Sequence, residues 1–246
     1  VAAKFKKKPG VRYEALAMNA KGLERSIASG AFSTTGTLSQ TASEKFLLRN
    51  QKRTFAQNLE ALHNNVAVYK QHNVPVTKGS IMAAFGCNFE GDISIERVLQ
   101  MCKNIFDVAS EYNLQIKSLA LADTMAWATP LSIKRVVGAV RDKYPEQEIS
   151  LHLHDTRGMA LALAYAGLEM GVSYYDSCVG GLGGCPFAPG ATGNLATEDL
   201  VYLLDGLGLA TGIRLDGIIE ASRAIEPLVG HPLPSRVFRT TQSRSA

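Results

Sequence analysis

The sequence predicts an α/β protein of the (β/α)8 TIM-barrel class whose first two βα units are lacking from this chain. Three observations carry that expectation. Apolar runs of strand length alternate with segments of helical period, no Pro/Gly/Ser-rich linker divides them, and six βα units can be counted where a closed barrel needs eight. The whole of 1–246 is read as a single barrel-type domain, incomplete at its N-terminus, with 212–246 as a C-terminal helix and tail. Val1 in place of Met, followed closely by the Pro9-Gly10 turn, fits a start inside a longer barrel.

The units run in order. Val11 to Ala17 reads as a strand. Phe32 to Gln40 reads as a second and poorer one, because Ser33, Thr34, Thr35, Gly36 and Thr37 stand where a strand buried on both faces wants branched aliphatics. A third strand lies near Val76. Ser94 is a good N-cap for a helix in which Ile95, Val98, Leu99, Cys102, Ile105, Phe106 and Ala109 form one apolar face, so Cys102 is a core residue. Ile116 to Leu121 is the next strand. Thr129-Pro130 pairs an N-cap with a helix-starting proline, and Ile133, Val136, Val137 and Val140 carry the buried face of that helix. The strand Ile149 to His154 follows, then a helix from about Met159 to Met170 ended by Gly171, and the strand Val172 to Ser177. Helices from about Leu195 to Leu204 and near Leu215 to Ala224 lead into a Pro-rich, basic tail.

Composition narrows the classes of function. With 46% hydrophobic residues over 246 positions the chain can bury a full core, and no apolar run approaches the roughly 18 residues of a membrane span. No charged-then-apolar secretory leader opens it, so a cytoplasmic home is expected, with no membrane partner. Cys87, Cys102, Cys178 and Cys185 are too few and too irregular for a disulfide framework and read as thiols. The net charge of +4 comes largely from Lys4, Lys6, Lys7, Lys8 and scattered Arg, and with few aromatics it does not make a nucleic-acid face.

Chemistry concentrates in three stretches. In Ile149-Ser150-Leu151-His152-Leu153-His154-Asp155 the period of a strand puts His152 and His154 on one face, the barrel interior, with Ile149, Leu151 and Leu153 toward the helices. Residues two apart lie about 6 to 7 Å from each other, close enough for two imidazoles to converge on one metal ion. An incidental polar pair hydrogen-bonded in the barrel mouth competes evenly with that reading. His63, His72 and His231 read as solvated. The second stretch, Gly180-Gly181-Leu182-Gly183-Gly184-Cys185-Pro186-Phe187-Ala188-Pro189-Gly190, lets backbone approach a ligand and can move as a lid; Cys185 in it is an accessible thiol, a nucleophile or a proton donor. Asn194 beyond it either caps the next helix or gives its amide oxygen to a hard cation, and Glu198 and Asp199 suit the helix dipole. The third is Ala122-Asp123-Thr124 at a strand end, in the catalytic layer of a barrel, where Asp123 and Thr124 are read as substrate-binding.

Taken together, these stretches resemble the hydroxymethylglutaryl-CoA lyase family of metal-dependent Claisen-type lyases and synthases. The carriers are Asn19-Ala20-Lys21-Gly22, Ala42-Ser43-Glu44, Gly86-Cys87-Asn88-Phe89-Glu90-Gly91, Asp123-Thr124, His152-Leu153-His154-Asp155-Thr156, Gly181-Leu182-Gly183-Gly184-Cys185-Pro186-Phe187-Ala188 and Gly193-Asn194-Leu195-Ala196-Thr197-Glu198-Asp199. The resemblance implies cleavage of 3-hydroxy-3-methylglutaryl-CoA to acetyl-CoA and acetoacetate, with His152, His154 and Asn194 binding Mg2+ or Mn2+, Cys185 as the catalytic loop thiol, an acyl-CoA substrate and a homodimer. The family's Arg-Asp pair on the first barrel strand and its Glu on the second have no counterpart in this sequence, in keeping with the two units missing from the count. Met125-Ala126-Trp127 stands where the family has a small glycine-containing stretch, which keeps a related substrate such as citramalyl-CoA open. A synthase condensing acetyl-CoA with a 2-oxo acid is opposed by Cys185, and a non-catalytic binding subunit would show no cleavage at all.

Overall fold

Parallel strands dominate the computed structural model, which describes residues 6–15, 17, 20–184 and 193–242. Strands β1 (Gly36–Thr41), β2 (Val76–Met82), β5 (Ser118–Asp123), β6 (Glu148–Leu153) and β7 (Tyr174–Asp176) form one sheet, each beside its predecessor and parallel to it. Spatial order that follows chain order belongs to a singly wound arc of a (β/α)8 barrel; a doubly wound sheet would reverse direction partway across. A small hairpin, β3 (Gly86–Cys87) with β4 (Gly91–Asp92), caps the exit of β2.

Helices fill the connections. After α1 (Ala20–Ala28), α2 (Glu44–Gln51) and α3 (Phe55–Gln71) join β1 to β2, α4 (Ile95–Glu111) leads to β5, α5 (Pro130–Lys143) to β6 and α6 (Ala160–Glu169) to β7. Their starts follow local chemistry: Ser94 accepts from the Arg97 N–H, and Thr129 with Ser132 forms a capping box ahead of Pro130. The outward faces of the strands, including Ile81, Leu119, Leu121, Ile149, Leu151 and Leu153, pack on the inward faces of α4, α5 and α6 through Ile105, Ile133, Val137 and Leu163. Cys102 lies in this layer, where burial pushes its thiol up to about 12, so it is chemically quiet.

Four expectations need correction. The stretch Val11 to Ala17 is not a strand over its described residues, 11–15 and 17: the Ser33 N–H donates to the Tyr13 carbonyl at 2.7 Å, the Val11 N–H turns back to the Lys8 carbonyl at 3.3 Å, and Val11 is 51% exposed. The second strand begins at Gly36 rather than Phe32. A Cβ on Gly36 would sit 2.7 Å from Val76 Cγ2 and 3.1 Å from the Tyr69 ring, so the glycine is what lets the pair close there. Asn194 does not cap α7 (Thr197–Gly206); it and Ala196 bridge to His154 and Cys178, so the helix starts later, at Thr197. Finally, α8 (Leu215–Val229) runs through Pro227, and the tail carries a further helix, α9 (Arg236–Gln242), whose Phe238 is fully buried against Ile219 and Leu233.

A second close approach in the sheet yields a test. A Cβ on Gly79 would lie 2.8 Å from Leu119 Cδ1 and 3.2 Å from Ile105 Cγ2. Gly79→Ala is expected to cost about 1–3 kcal/mol by overpacking and Leu119→Ala about 2–5 kcal/mol by leaving a cavity. The double variant should lose less than the sum, because the new methyl enters the space the leucine vacates; simple additivity in urea titrations would contradict this packing.

Candidate active site

Register brings the candidate residues to one level. Ala122 stands beside His152 and Asp123 beside Leu153, while His152 stands beside Asp176 on the other side. Along β6 the fully buried Ile149, Leu151 and Leu153 alternate with half-buried Ser150 and His152, and buried His154 continues that second face. The two imidazoles meet edge on, with Nε2 atoms 3.2 Å apart and ring centroids 5.2 Å apart.

Each ring has a distinct environment. His152 Nδ1 lies 3.3 Å from Asp176 Oδ2; a carboxylate only accepts, so Nδ1 donates and Nε2 of the neutral ring is left as a bare acceptor. His154 is buried, which lowers its pKa to about 4, with the neighbouring His152 adding to the shift. It is therefore neutral at physiological pH, and the two facing Nε2 atoms can share one proton or one cation.

Asn194 arrives from the far side of the glycine loop. Its backbone bridges to His154, the Leu195 N–H donates to the Leu153 carbonyl at 2.9 Å, and the Asp155 N–H donates to the Gly193 carbonyl at 3.2 Å. Gly193 at φ +70° permits this passage, since a Cβ there would strike the Gly181 carbonyl oxygen at 2.0 Å. The Asn194 amide nitrogen donates to the Leu182 carbonyl and to Cys178 Sγ. Asn194 Oδ1 and His154 Nδ1 are buried without a hydrogen-bond partner among the described residues. A buried amide oxygen left in that condition is uncommon and calls for a ligand, whereas His154 Nδ1 lies on the far side of its ring from Nε2 and bears on no cation at that pair. Two imidazole nitrogens and an amide oxygen are a donor set that fits a divalent cation. Among the described residues no three His, Cys, Asp or Glu converge, so the amide is what raises this pair above a polar couple. Cys185 lies outside the described residues.

Asp123 is fully buried at the end of β5. Its Oδ1 accepts from the N–H groups of Trp127 at 2.7 Å and Ala128 at 3.0 Å, and Oδ2 has no partner among the described residues. Burial raises the carboxyl to about 6, against the pull of those amides and of Arg157 and His152. Thr124 turns the other way, its hydroxyl accepting from the Ala83 N–H at 2.9 Å, so it fastens the β2 exit to the β5 exit.

Sequence reasoning did not find the residues that brace this mouth. Arg157 Nη1 donates to the carbonyls of Met125 and Ala126 at 2.7 and 2.8 Å, and its guanidinium lies 5.3 Å above the Trp127 ring. Trp127 Nε1 donates to Asp92 at 2.6 Å, and the ring presses on Gly86, where a Cβ would be 2.0 Å away. Glu198 and Asp199 do more than oppose a dipole. Glu198, fully buried, accepts the Gly180 N–H on both oxygens and the Ser222 hydroxyl on one. Asp199 accepts from Ser235 Oγ and from the N–H groups of Arg236 and Val237, holding the start of α9.

The HMGL-like family profile matches residues 3–225. Hydroxymethylglutaryl-CoA lyase YngG of Bacillus subtilis (strain 168) is 36% identical over 99% of this chain and 78% of its own length. The cytoplasmic 3-hydroxy-3-methylglutaryl-CoA lyase of Homo sapiens is 37% identical over 95% of this chain, which spans 60% of that protein. Among solved structures, a Bacillus subtilis HMG-CoA lyase superposes with a TM-score of 0.87 at 34% identity, over 98% of this chain and 78% of the other. An Acinetobacter baumannii HMG-CoA lyase in complex with coenzyme A and 3-methylmalate gives 0.84 at 35% identity, over 97% and 75%.

The Asp123 carboxyl has a measurable signature. Its folded pKa, about 6, exceeds its unfolded value near 4, so the stability it contributes is complete below about pH 4 and is lost as pH rises through 6. Asp123→Asn keeps an oxygen for the two amides and removes the charge. It is expected to raise the unfolding free energy by on the order of 2 kcal/mol at pH 7.5 and to leave it unchanged at pH 3.5. Urea titrations at the two pH values check this, and an equal effect at both would contradict it.

Proposed function

The chain belongs to the HMGL-like family, and from that premise we propose that it is a divalent-metal-dependent carbon–carbon lyase that cleaves 3-hydroxy-3-methylglutaryl-CoA to acetyl-CoA and acetoacetate. The observation that carries the reading is the facing pair of His152 and His154 Nε2 atoms beside a buried, unpartnered Asn194 Oδ1, on a scaffold that superposes on HMG-CoA lyases.

His152, His154 and Asn194 would hold Mg2+ or Mn2+, which when bound lowers the cost of alkoxide formation at the substrate hydroxyl as a Lewis acid. The chain's own residues arrange the rest. Asp176 fixes the His152 ring through Nδ1, and burial keeps His154 neutral and able to donate a lone pair. Asp123 and Thr124 belong to the substrate-binding wall, Asp123 through its free Oδ2 and Thr124 by holding the loop at Ala83. As the hydroxyl proton passes to solvent water, the C2–C3 bond breaks, the C3 oxygen becomes the ketone of acetoacetate, and the bond's electron pair passes to C2 of the acetyl-CoA fragment, conjugated with the thioester carbonyl. Cys185 supplies the proton that C2 takes up, so one proton is lost at oxygen and one gained at carbon.

One observation favours a related substrate. Trp127, wedged between Gly86 and Arg157 and tied to Asp92, stiffens the stretch after Asp123, and such a wall suits a 3-hydroxy-acyl-CoA of different branching, such as citramalyl-CoA. The proposal includes one barrel-type domain over 1–246, a homodimer and a cytoplasmic place of action; no helix among the described residues is long and apolar enough to cross a membrane.

The intact polypeptide, supplied with Mn2+ or Mg2+ and a panel of 3-hydroxy-acyl-CoA thioesters, should release acetyl-CoA only when metal is present. His154→Ala should lower both turnover and Mn2+ affinity by at least about tenfold, whereas Cys185→Ala should remove about 99% of turnover with Mn2+ affinity unchanged. Unaltered turnover in Cys185→Ala removes the acid role, and metal-independent release removes the lyase reading.

A further inference from the structure

Asn194 is a member of the proposed cation set whose useful atom is not fixed by its own chemistry. An amide presents oxygen at one end and NH2 at the other, and a half-turn exchanges them. The surroundings decide which end faces the histidines. The Leu182 carbonyl oxygen lies 3.0 Å from one end of the amide, and a carbonyl oxygen only accepts, so that end must be the NH2. Cys178 Sγ, at 3.1 Å, takes the second proton of the same nitrogen. With both protons engaged, Oδ1 is left over, buried and without a partner among the described residues.

Both acceptors sit on anchored backbone. The Cys178 N–H donates to the Leu195 carbonyl and the Cys178 carbonyl accepts from the Thr197 N–H, each at 2.9 Å. Leu182 closes a short 3-10 turn, Val179–Gly181, whose Gly180 N–H is held by Glu198. Gly183, at φ +103°, completes the cradle by having no side chain, since a Cβ there would stand 2.5 Å from the Asn194 nitrogen.

We propose that Cys178 and the Leu182 carbonyl form an orienting pair for Asn194, holding its amide so that Oδ1 faces a divalent cation shared with His152 and His154. The proposal rests on the metal reading above. Cys178 is then a positioning residue that acts as a hydrogen-bond acceptor toward a ligand, with no nucleophilic part. Reversal of the amide would direct N–H groups at the cation, replacing an attraction with a repulsion.

Titration of the protein with Mn2+ alone, followed by calorimetry and by the electron paramagnetic resonance signal of free Mn2+, tests the pair without reference to turnover. Cys178→Ala and Gly183→Ala should each weaken Mn2+ binding by about tenfold, in the range typical of groups that orient metal ligands. Cys178→Ser, whose hydroxyl oxygen can still accept, should stay within about threefold of the parent. Parent-like affinity in both Cys178→Ala and Gly183→Ala overturns the proposal, as does a Cys178→Ser variant no better than Cys178→Ala. Parent-like affinity in Asn194→Ala and His154→Ala together overturns the metal reading instead. The two cradle variants act on the same amide nitrogen by different means, one by excision and one by insertion, so loss of fold in either, seen by circular dichroism, leaves the other decisive.

Discussion

Everything at this mouth depends on the parallel hydrogen-bond register of β5, β6 and β7. Parallel strands in fixed register end together, so His152 and Asp176 come to one level with Asp123 one residue further along, although the three share no local sequence relation. The outward side chains of those strands are sealed by α4, α5 and α6, and a slip of one residue in β6 would drive two imidazoles into that apolar layer. The core thus enforces the geometry of the site, because the register that buries Leu151 and Leu153 is the register that turns His152 and His154 inward.

Buried carboxylates perform a second kind of fastening. Desolvating a charge is costly unless hydrogen bonds replace the lost water, and Glu198 and Asp199 receive such bonds from backbone and hydroxyl donors. Through them α7 grips the root of the glycine loop on one side and the start of α9 on the other. α8 and α9 are in this way mechanically continuous with the described root of that loop at Gly180. Removing either carboxylate leaves several buried donors unpaired, a heavier loss than one helix-dipole contact.

The exits of β2, β5 and β6 are laced by a third set of contacts. Thr124 to Ala83, Arg157 to the Met125 and Ala126 carbonyls, and Trp127 to Asp92 tie separate loops into one wall. The scaffold that carries this wall agrees with HMG-CoA lyase structures at TM-scores of 0.87 and 0.84.

The sequence by itself determined the periodicities: helices over Ile95–Glu111 and Pro130–Lys143 with their caps, the inward face of the histidine strand, and the quiet burial of Cys102. These rest on spacing within one element, where geometry follows from neighbours in the chain. It misjudged Val11 to Glu14, because a strand exists only if a partner supplies its hydrogen bonds, and alternation along one segment says nothing of the partner. It left Asn194 between a cap and a ligand, because the pairing with His154 that removes the cap joins residues remote in sequence. The roles of Arg157, Trp127, Asp176, Glu198 and Asp199 were decided by the tertiary structure alone. Each acts on a group that is remote in sequence or lies in another element, and such distances are set by how strands and helices pack rather than by any residue's own preference.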